Sequence, residues 1–225
     1  MGYGKRLDVL FSHLEQADVF ADVGCDHGYA SEYMLKSGLC NKAILSDISR
    51  GSLKKAETLL EDYVQTGRAV PVLGDGFVGV PKDVDEVLIA GMGGCEIVSI
   101  LSHPKHGFIP KRFVLQPMHD SELVRRFLIE HGAYIDRDYT FFDGKYYDVI
   151  VGRKADGQAQ VYTDAEAEFG RDNIKERGEA FLQRLQKLTA DIDKYLESGN
   201  LQPSSREELL QRKKRYQGVY RGEIK

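Results

Sequence analysis

The chain has 225 residues, 42% of them hydrophobic and 29% charged, with a net charge of −4. This is an ordinary globular composition, long enough for one good core plus a small appendage, and no apolar run approaches the ~20 residues of a membrane helix. The acidic balance argues against a nucleic-acid binder that is basic over its whole surface, yet the C-terminal end is locally basic, with Arg206, Arg212, Lys213, Lys214, Arg215, Arg221 and Lys225. Cys25, Cys40 and Cys95 are odd in number and far apart, so neither a disulfide framework nor a zinc set is expected, and a reducing cytoplasm is the default compartment. Residues 1–6 lead into an amphipathic segment rather than a signal-peptide core.

In chain order, Leu7, Leu10, Phe11 and Leu14 form a helical stripe that predicts a short lead-in helix over Lys5–Leu14. Val19–Val23 reads as a central strand, and Tyr29–Ser37 as the helix that follows it. Ala43–Ser46 is a second strand, ending at Asp47. Ser49 then caps a helix from Arg50 to about Gln65, with Leu53, Ala56, Leu59, Leu60 and Val64 inward. Strands at Ala69–Leu73, Val87–Ala90 and Arg112–Leu115 alternate with helices at Glu96–Leu101 and Glu122–Glu130. Such βαβ alternation implies a mostly parallel sheet covered on both faces.

The pattern then changes. Ala133–Phe142 and Lys145–Gly152 are strand-like runs joined at Asp143-Gly144, a strong hairpin signal. Lys154–Gln160 is a polar linker, which divides the chain into residues 1–160 and 161–225. Phe181, Leu185, Leu188, Ile192 and Leu196 then make a coiled-coil-like seam. Ser198-Gly199-Asn200 and Pro203 make a turn, and Arg206–Tyr220 returns with Leu209, Tyr216 and Val219 inward. The fold class expected is α/β: a Rossmann-like sheet, mostly parallel with a C-terminal antiparallel hairpin, an arrangement similar to that of class I methyltransferases, plus a small α-helical coiled-coil domain.

The chemistry gathers at the strand ends, where open α/β sheets bind ligands. Asp22-Val23-Gly24-Cys25-Asp26-His27-Gly28 joins the first strand to its helix. Gly24 permits a sharp turn and Gly28 close helix packing. Asp22 can accept from a ligand amine. The motif is not a dinucleotide fingerprint, because Asp26 stands where a pyrophosphate would need a glycine. A ligand with a cationic centre suits it better, which points to S-adenosylmethionine (SAM) rather than NAD.

Asp47 can accept both ribose hydroxyls, Ile48 can pack under a purine, and Asp75 between Gly74 and Gly76 can accept an adenine N6 amine. Gly91-Met92-Gly93-Gly94 opens space where a methyl donor meets its acceptor, and Gln116-Pro117-Met118 ends the fifth strand beside it. The Asn/Asp-Pro-Pro-aromatic signature of exocyclic-amine methylation is absent, which is consistent with a ring nitrogen such as N1 of adenine as acceptor. Asp26, His27 and His119 are the candidate catalytic groups, with Asp120 beside His119. Cys25 reads as a buried small residue. His103-x-x-His106 lies on a loop with no third ligand, so no metal is expected. Open alternatives are a SAM-dependent methyltransferase acting on a small molecule or protein, or a non-catalytic SAM or nucleotide-binding module.

Taken together, Arg6-Leu7, the run Ala21–Tyr29, Ser46-Asp47-Ile48, Gly74-Asp75-Gly76, Ala90–Gly94 and Leu115–Met118 resemble the bacterial tRNA (adenine-22)-N1-methyltransferase family, the TrmK type. The resemblance implies a cytoplasmic enzyme that methylates N1 of adenosine 22 in the tRNA D-arm. It implies a SAM pocket that includes Arg6, Gly24, Asp26, His27, Asp47, Asp75 and Gly91–Gly94. It also implies RNA contacts, for which Tyr29, Gln116, Pro117, Met118, Arg212, Lys213, Lys214 and Arg215 are candidates. A monomer or weak homodimer is expected.

Overall fold

The computed structural model describes residues 2–157, 160–197 and 202–224. Strands β1 (Ala17–Val23), β2 (Cys40–Asp47), β3 (Ala69–Leu73), β4 (Glu86–Met92), β5 (Arg112–Pro117), β6 (Ala133–Asp143) and β7 (Lys145–Lys154) form one sheet in the order β3-β2-β1-β4-β5-β7-β6. The first five are parallel; β7 runs antiparallel to both β5 and β6.

Alternation along the central strands splits the core between the two faces. Phe20, Leu45, Leu88 and Val114 face one side, with Met34 of helix α2 (Tyr29–Lys36) and with Leu10 and Phe11 of α1 (Lys5–Phe11). Ala21, Ile44, Val87, Ile89, Phe113 and Leu115 face the other, against α5 (Gly94–Leu101) and α6 (Ser121–Glu130). Near-continuous apolar runs are what a strand buried on both faces requires.

Two details differ from the sequence expectation. The helix over residues 50–65 is broken at Leu60 into α3 (Arg50–Leu59) and α4 (Glu61–Gln65). Leu53, Ala56 and Leu60 are buried while Leu59 is 38% exposed, because six residues of helix carry Leu59 well off the face that Leu53 starts. Several strands also run further than expected: β4 includes Gly91 and Met92, and β5 includes Gln116 and Pro117.

Beyond residue 160 the chain is not detached from the sheet. α7 (Asp164–Phe169) and α8 (Arg171–Glu176) pack on α6 and β6 through a buried polar network. Arg125 of α6, fully buried, donates from Nε to both oxygens of Asp138 at 2.9 Å, and from Nη1 to the carbonyl oxygens of Ala167 (3.3 Å) and Glu168 (3.1 Å). Asp138 reaches inward after a register shift between Ile135 and Arg137. Asp148 of β7 accepts from Thr140 Oγ1 at 2.6 Å and from Arg184 Nη1 at 2.7 Å, and Arg125 Nη2 lies 3.6 Å from its Oδ2. These cations hold the Asp148 carboxyl down at about 2, despite its burial. The packing is therefore continuous across the division expected at residue 160.

The two long helices α9 (Glu179–Glu197) and α10 (Pro203–Arg221) run antiparallel: Gln186 bonds Tyr220, Asp193 bonds Lys213 and the Leu196 carbonyl bonds Arg206. Phe181, Leu185 and Val219 form a small core with Ala165 and Phe169. Of the expected seam, Leu188 and Leu196 are only half-buried. The expected turn Ser198-Gly199-Asn200 lies outside the described residues, as do Gln158 and Ala159 of the linker.

Arg125→Met should cost about 3–5 kcal/mol, because it leaves the Asp138 and Asp148 carboxylates buried with their shared cation removed. Urea unfolding of the variant against the parent measures this. A loss under 1 kcal/mol would mean the network relaxes without it.

Candidate functional site

The carboxyl ends of β1 to β4 surround a cleft of about 540 Å³. Its floor is the β1–α2 turn, spliced onto the end of β2. The amides of Gly24 (2.8 Å) and Cys25 (3.2 Å) donate to the Ser46 carbonyl, and the Asp26 amide donates to Asp47 Oδ2 at 3.1 Å. Gly24 (φ 74°) and Asp26 (φ 43°) are both left-handed, which turns their amides toward β2. A Cβ at Gly24 would also sit 2.2 Å from the Met92 Cε atom across the cleft. Asp47 Oδ1 accepts the Ser49 amide at 2.8 Å, so its side chain is fixed from both sides before any ligand binds. Ser46 Oγ donates to the Gly76 carbonyl at 2.8 Å and ties in the β3 loop.

The electrostatics are lopsided. Asp22, Asp26, Asp47, Asp75 and Glu96 line the cleft, and Arg6 is the one guanidinium or ammonium among the described lining residues. Arg6 is well fixed. Its Nε donates to Gln116 Oε1 at 2.9 Å, its amide to Asp143 Oδ2 at 3.0 Å, and its guanidinium lies 5.6 Å over the Tyr147 ring. Asp22 is 5% exposed and accepts from the Ser31 amide (3.3 Å) and hydroxyl (3.1 Å); burial nevertheless pushes its carboxyl up to about 7. Burial and the Asp22 and Asp47 carboxylates push the Cys25 thiol up as well, so it is no nucleophile.

The cleft collects Arg6, Asp22, Gly24, Cys25, Asp26, His27, Tyr29, Asp47, Ile48, Asp75, Gly76, Gly91 and Met92. Other expected residues stand elsewhere. Gly28 lies beneath, where a Cβ would be 2.9 Å from that of Ala56. Gly93 and Gly94 make room for the β5–α6 turn, since a Cβ on Gly94 would fall 2.3 Å from the Asp120 carbonyl. Gln116 is fully buried and acts through Arg6; Pro117, Met118 and His119 are beyond the lining. At the mouth, His27 Nδ1 lies 2.7 Å from Asp26 Oδ2, with its ring stacked on Tyr29 at 5.4 Å. His119 makes the same 2.7 Å pairing with Asp120. Among the described residues, no group of three or more His, Cys, Asp or Glu side chains forms a metal site.

The basic C-terminal cluster is largely engaged within the protein. Arg212 pairs with Glu208 at 3.2 Å, Lys213 with Asp193 and Arg215 with Glu168. Leu7, Ala30, Ser46, Leu88, Glu96 and Ile100 also line the cleft, beyond the residues expected from the sequence. Ser46 and Leu7 adjoin residues that were expected, and Glu96 lies in the first turn after the glycine run.

A family model described as tRNA (adenine(22)-N(1))-methyltransferase matches residues 20–217. The chain belongs to this family. The tRNA (adenine(22)-N(1))-methyltransferase of Bacillus subtilis is 31% identical over 186 residues, 80% of this chain and 78% of that protein. The solved structure of the B. subtilis m1A22 methyltransferase TrmK superposes with a TM-score of 0.84 at 25% identity, covering 97% of this chain and 99% of that one. A putative tRNA (m1A22) methyltransferase of Streptococcus pneumoniae, solved in complex with SAM, also gives a TM-score of 0.84, at 24% identity over 96% and 99%. That likeness shows the family's sheet and appended helices. The cleft chemistry of this TrmK-family chain fits SAM on its own terms, because a carboxylate-rich site with one guanidinium suits an amine, a sulfonium and a single carboxylate, and repels a pyrophosphate.

Between 3.8 and about 7 the folded protein holds a proton on Asp22 that the unfolded chain has lost. Its contribution therefore lowers stability as pH rises through that interval. Asp22→Asn should flatten this decline and raise the melting temperature of the ligand-free protein at pH 8. Thermal melts from pH 5 to 8 check this; an unchanged slope would assign the proton to another group.

Proposed function

We propose that this chain transfers the methyl group of SAM to N1 of adenosine 22 in tRNA. The observation that carries the proposal is the family match over residues 20–217, laid on an acidic cleft at the carboxyl edge of the sheet. SAM supplies an electrophilic methyl group on a sulfonium. Asp47 accepts the ribose hydroxyls, Asp75 the adenine N6 amine and Asp22 the ligand amine, while Arg6 holds the carboxylate. Ile48, 74% exposed, is free to cover a purine. Residues 1–160 carry the chemistry, and residues 161–225 contribute RNA contacts.

N1 of adenine has an in-plane lone pair, so no proton must leave before attack. The acceptor ring gains positive charge as the bond forms. Asp26, at the mouth and steadied by His27 and by Lys55 at 3.8 Å, supplies the facing negative charge. His27 and His119 position their neighbouring carboxylates rather than remove protons. Placement and exclusion of water then account for most of the rate. Tyr29, 41% exposed beside His27, offers a face to the incoming base.

With labelled SAM and unmodified tRNA, the purified chain should form 1-methyladenosine, and a transcript with guanosine at position 22 should take up no label. Nucleoside analysis of the product decides, and incorporation into another base or atom would overturn the assignment. His27→Ala and His119→Ala should each lower kcat by less than about 100-fold, the low end of what proton-transfer roles contribute. A larger loss with a matching pH–rate inflection would show that a base is required.

A further inference from the structure

The β6–β7 hairpin is longer than the sheet needs. Leu115 of β5 pairs with Ile150 of β7, and the turn at Gly144 lies beyond that level by about 20 Å of extended strand. Because β7 is antiparallel to β5, this overhang projects past the same carboxyl edge that holds the cleft. Its two faces differ. Tyr147 on one face lies under Arg6, which lines the cleft. On the other, Phe142 and Tyr146 form a directly opposed cross-strand pair with ring centroids 5.0 Å apart.

That second face meets α9 in a notch of about 310 Å³, lined by Phe142, Lys145, Tyr146, Arg184, Lys187 and Leu188. Phe142 is 41% exposed at the overhang. The notch also includes Asp191, whose carboxylate is paired with Lys194 at 3.5 Å. Arg184 is committed to Asp148. Lys145 and Lys187, both exposed, make no ion pair among the described residues. An aromatic platform flanked by two uncompensated ammonium groups, on a chain of net charge −4, is complementary to one kind of occupant. That occupant is an unstacked nucleotide, with its base on the ring and its phosphates at the lysines.

We infer that this notch is a second RNA subsite, which takes an unpaired nucleotide near the target while the target base enters the cleft. The inference rests on the proposed methyl transfer to N1 of adenine. That atom lies on the base-pairing edge, so its base must leave pairing before it can react, and its neighbours lose stacking with it. A stacking platform on the far side of the hairpin offsets part of that loss. It also gives the overhang a role that sheet stability does not require.

The test uses the full chain and an unmodified tRNA transcript, with affinity read by fluorescence anisotropy at several salt concentrations. Phe142→Ala should weaken tRNA binding by about 5- to 50-fold, the effect of losing one base–aromatic stack, and Phe142→Tyr should restore it. Lys145→Ala combined with Lys187→Ala should reduce the salt slope by about 1 to 2, one phosphate per lysine. SAM affinity should stay at the parental value in each variant. Unchanged tRNA affinity in both the Phe142→Ala and the double-lysine protein overturns the inference. So does concentration-dependent self-association of the parent that Phe142→Ala abolishes, since that makes the notch an interface between copies. If the parent methylates adenosine 22 while the variants bind normally, the notch fails and the proposed function stands. If the variants lose binding but the parent forms no 1-methyladenosine, the function fails and the notch stands.

Discussion

The site depends on the splice between the carboxyl ends of β1 and β2. Two amides from the β1 turn converge on the Ser46 carbonyl, and a third, from Asp26, reaches the Asp47 carboxylate. For the amides to point that way, Gly24 and Asp26 must both be left-handed. Glycine takes that conformation freely, and Asp is among the few side chains that tolerate it. The splice therefore fixes residue types as well as geometry, and it holds several carboxylates of neighbouring strand ends around one small volume. Burial above all, with the Asp47 charge adding a little, raises the Asp22 carboxyl in the empty site. A cationic ligand favours its ionised form, which makes the site selective for such a ligand.

A second constraint keeps the C-terminal helices in register with the sheet. Arg125 joins α6 to β6 and to the carbonyls at the end of α7, while Asp148 and Arg184 carry the connection to α9. Replacing such a buried cluster with apolar groups need not weaken a fold, but removing one member strands the others. Its geometry links the helical pair to the same hairpin that touches Arg6. Hydrogen bonds with fixed directions therefore act beside the apolar core of the helices in holding them to the sheet.

Charge placement, not net charge, reconciles an acidic chain with an RNA substrate. Of the run 212–215, Arg212, Lys213 and Arg215 pair with Glu208, Asp193 and Glu168, while the exposed Lys214 makes no ion pair among the described residues. The cations at the hairpin and its α9 flank, Lys145 and Lys187, stand unpaired among the described residues beside an exposed aromatic ring. Screening reduces the reach of any single exposed lysine to within a Debye length of about 8 Å, so such a cation acts only on the phosphates nearest to it.

The order of strands along the chain, the hairpin and the long helical pair were legible in the sequence, whereas the break at Leu60 and the short helices α7 and α8 were not. Period, turn chemistry and helix caps are local signals, and the chain between residues 17 and 154 follows them closely. The cleft was also largely legible, because a parallel sheet places every strand's carboxyl end on one edge. The strand ends Asp22–His27, Asp47, Asp75 and Gly91-Met92 make up much of the lining, while Leu7, Ala30, Ser46, Leu88, Glu96 and Ile100 add to it from outside the expected site residues. What the sequence could not decide depends on partners distant along the chain. A Cβ at Gly93 or Gly94 would meet the β5–α6 turn, and Gln116 accepts from Arg6. The basic run near residue 213 proved to be mostly internal ion pairs. A sequence shows which residues carry charge or lack a side chain; only tertiary contact decides whether a charge is already paired and which neighbour fills the space a glycine leaves.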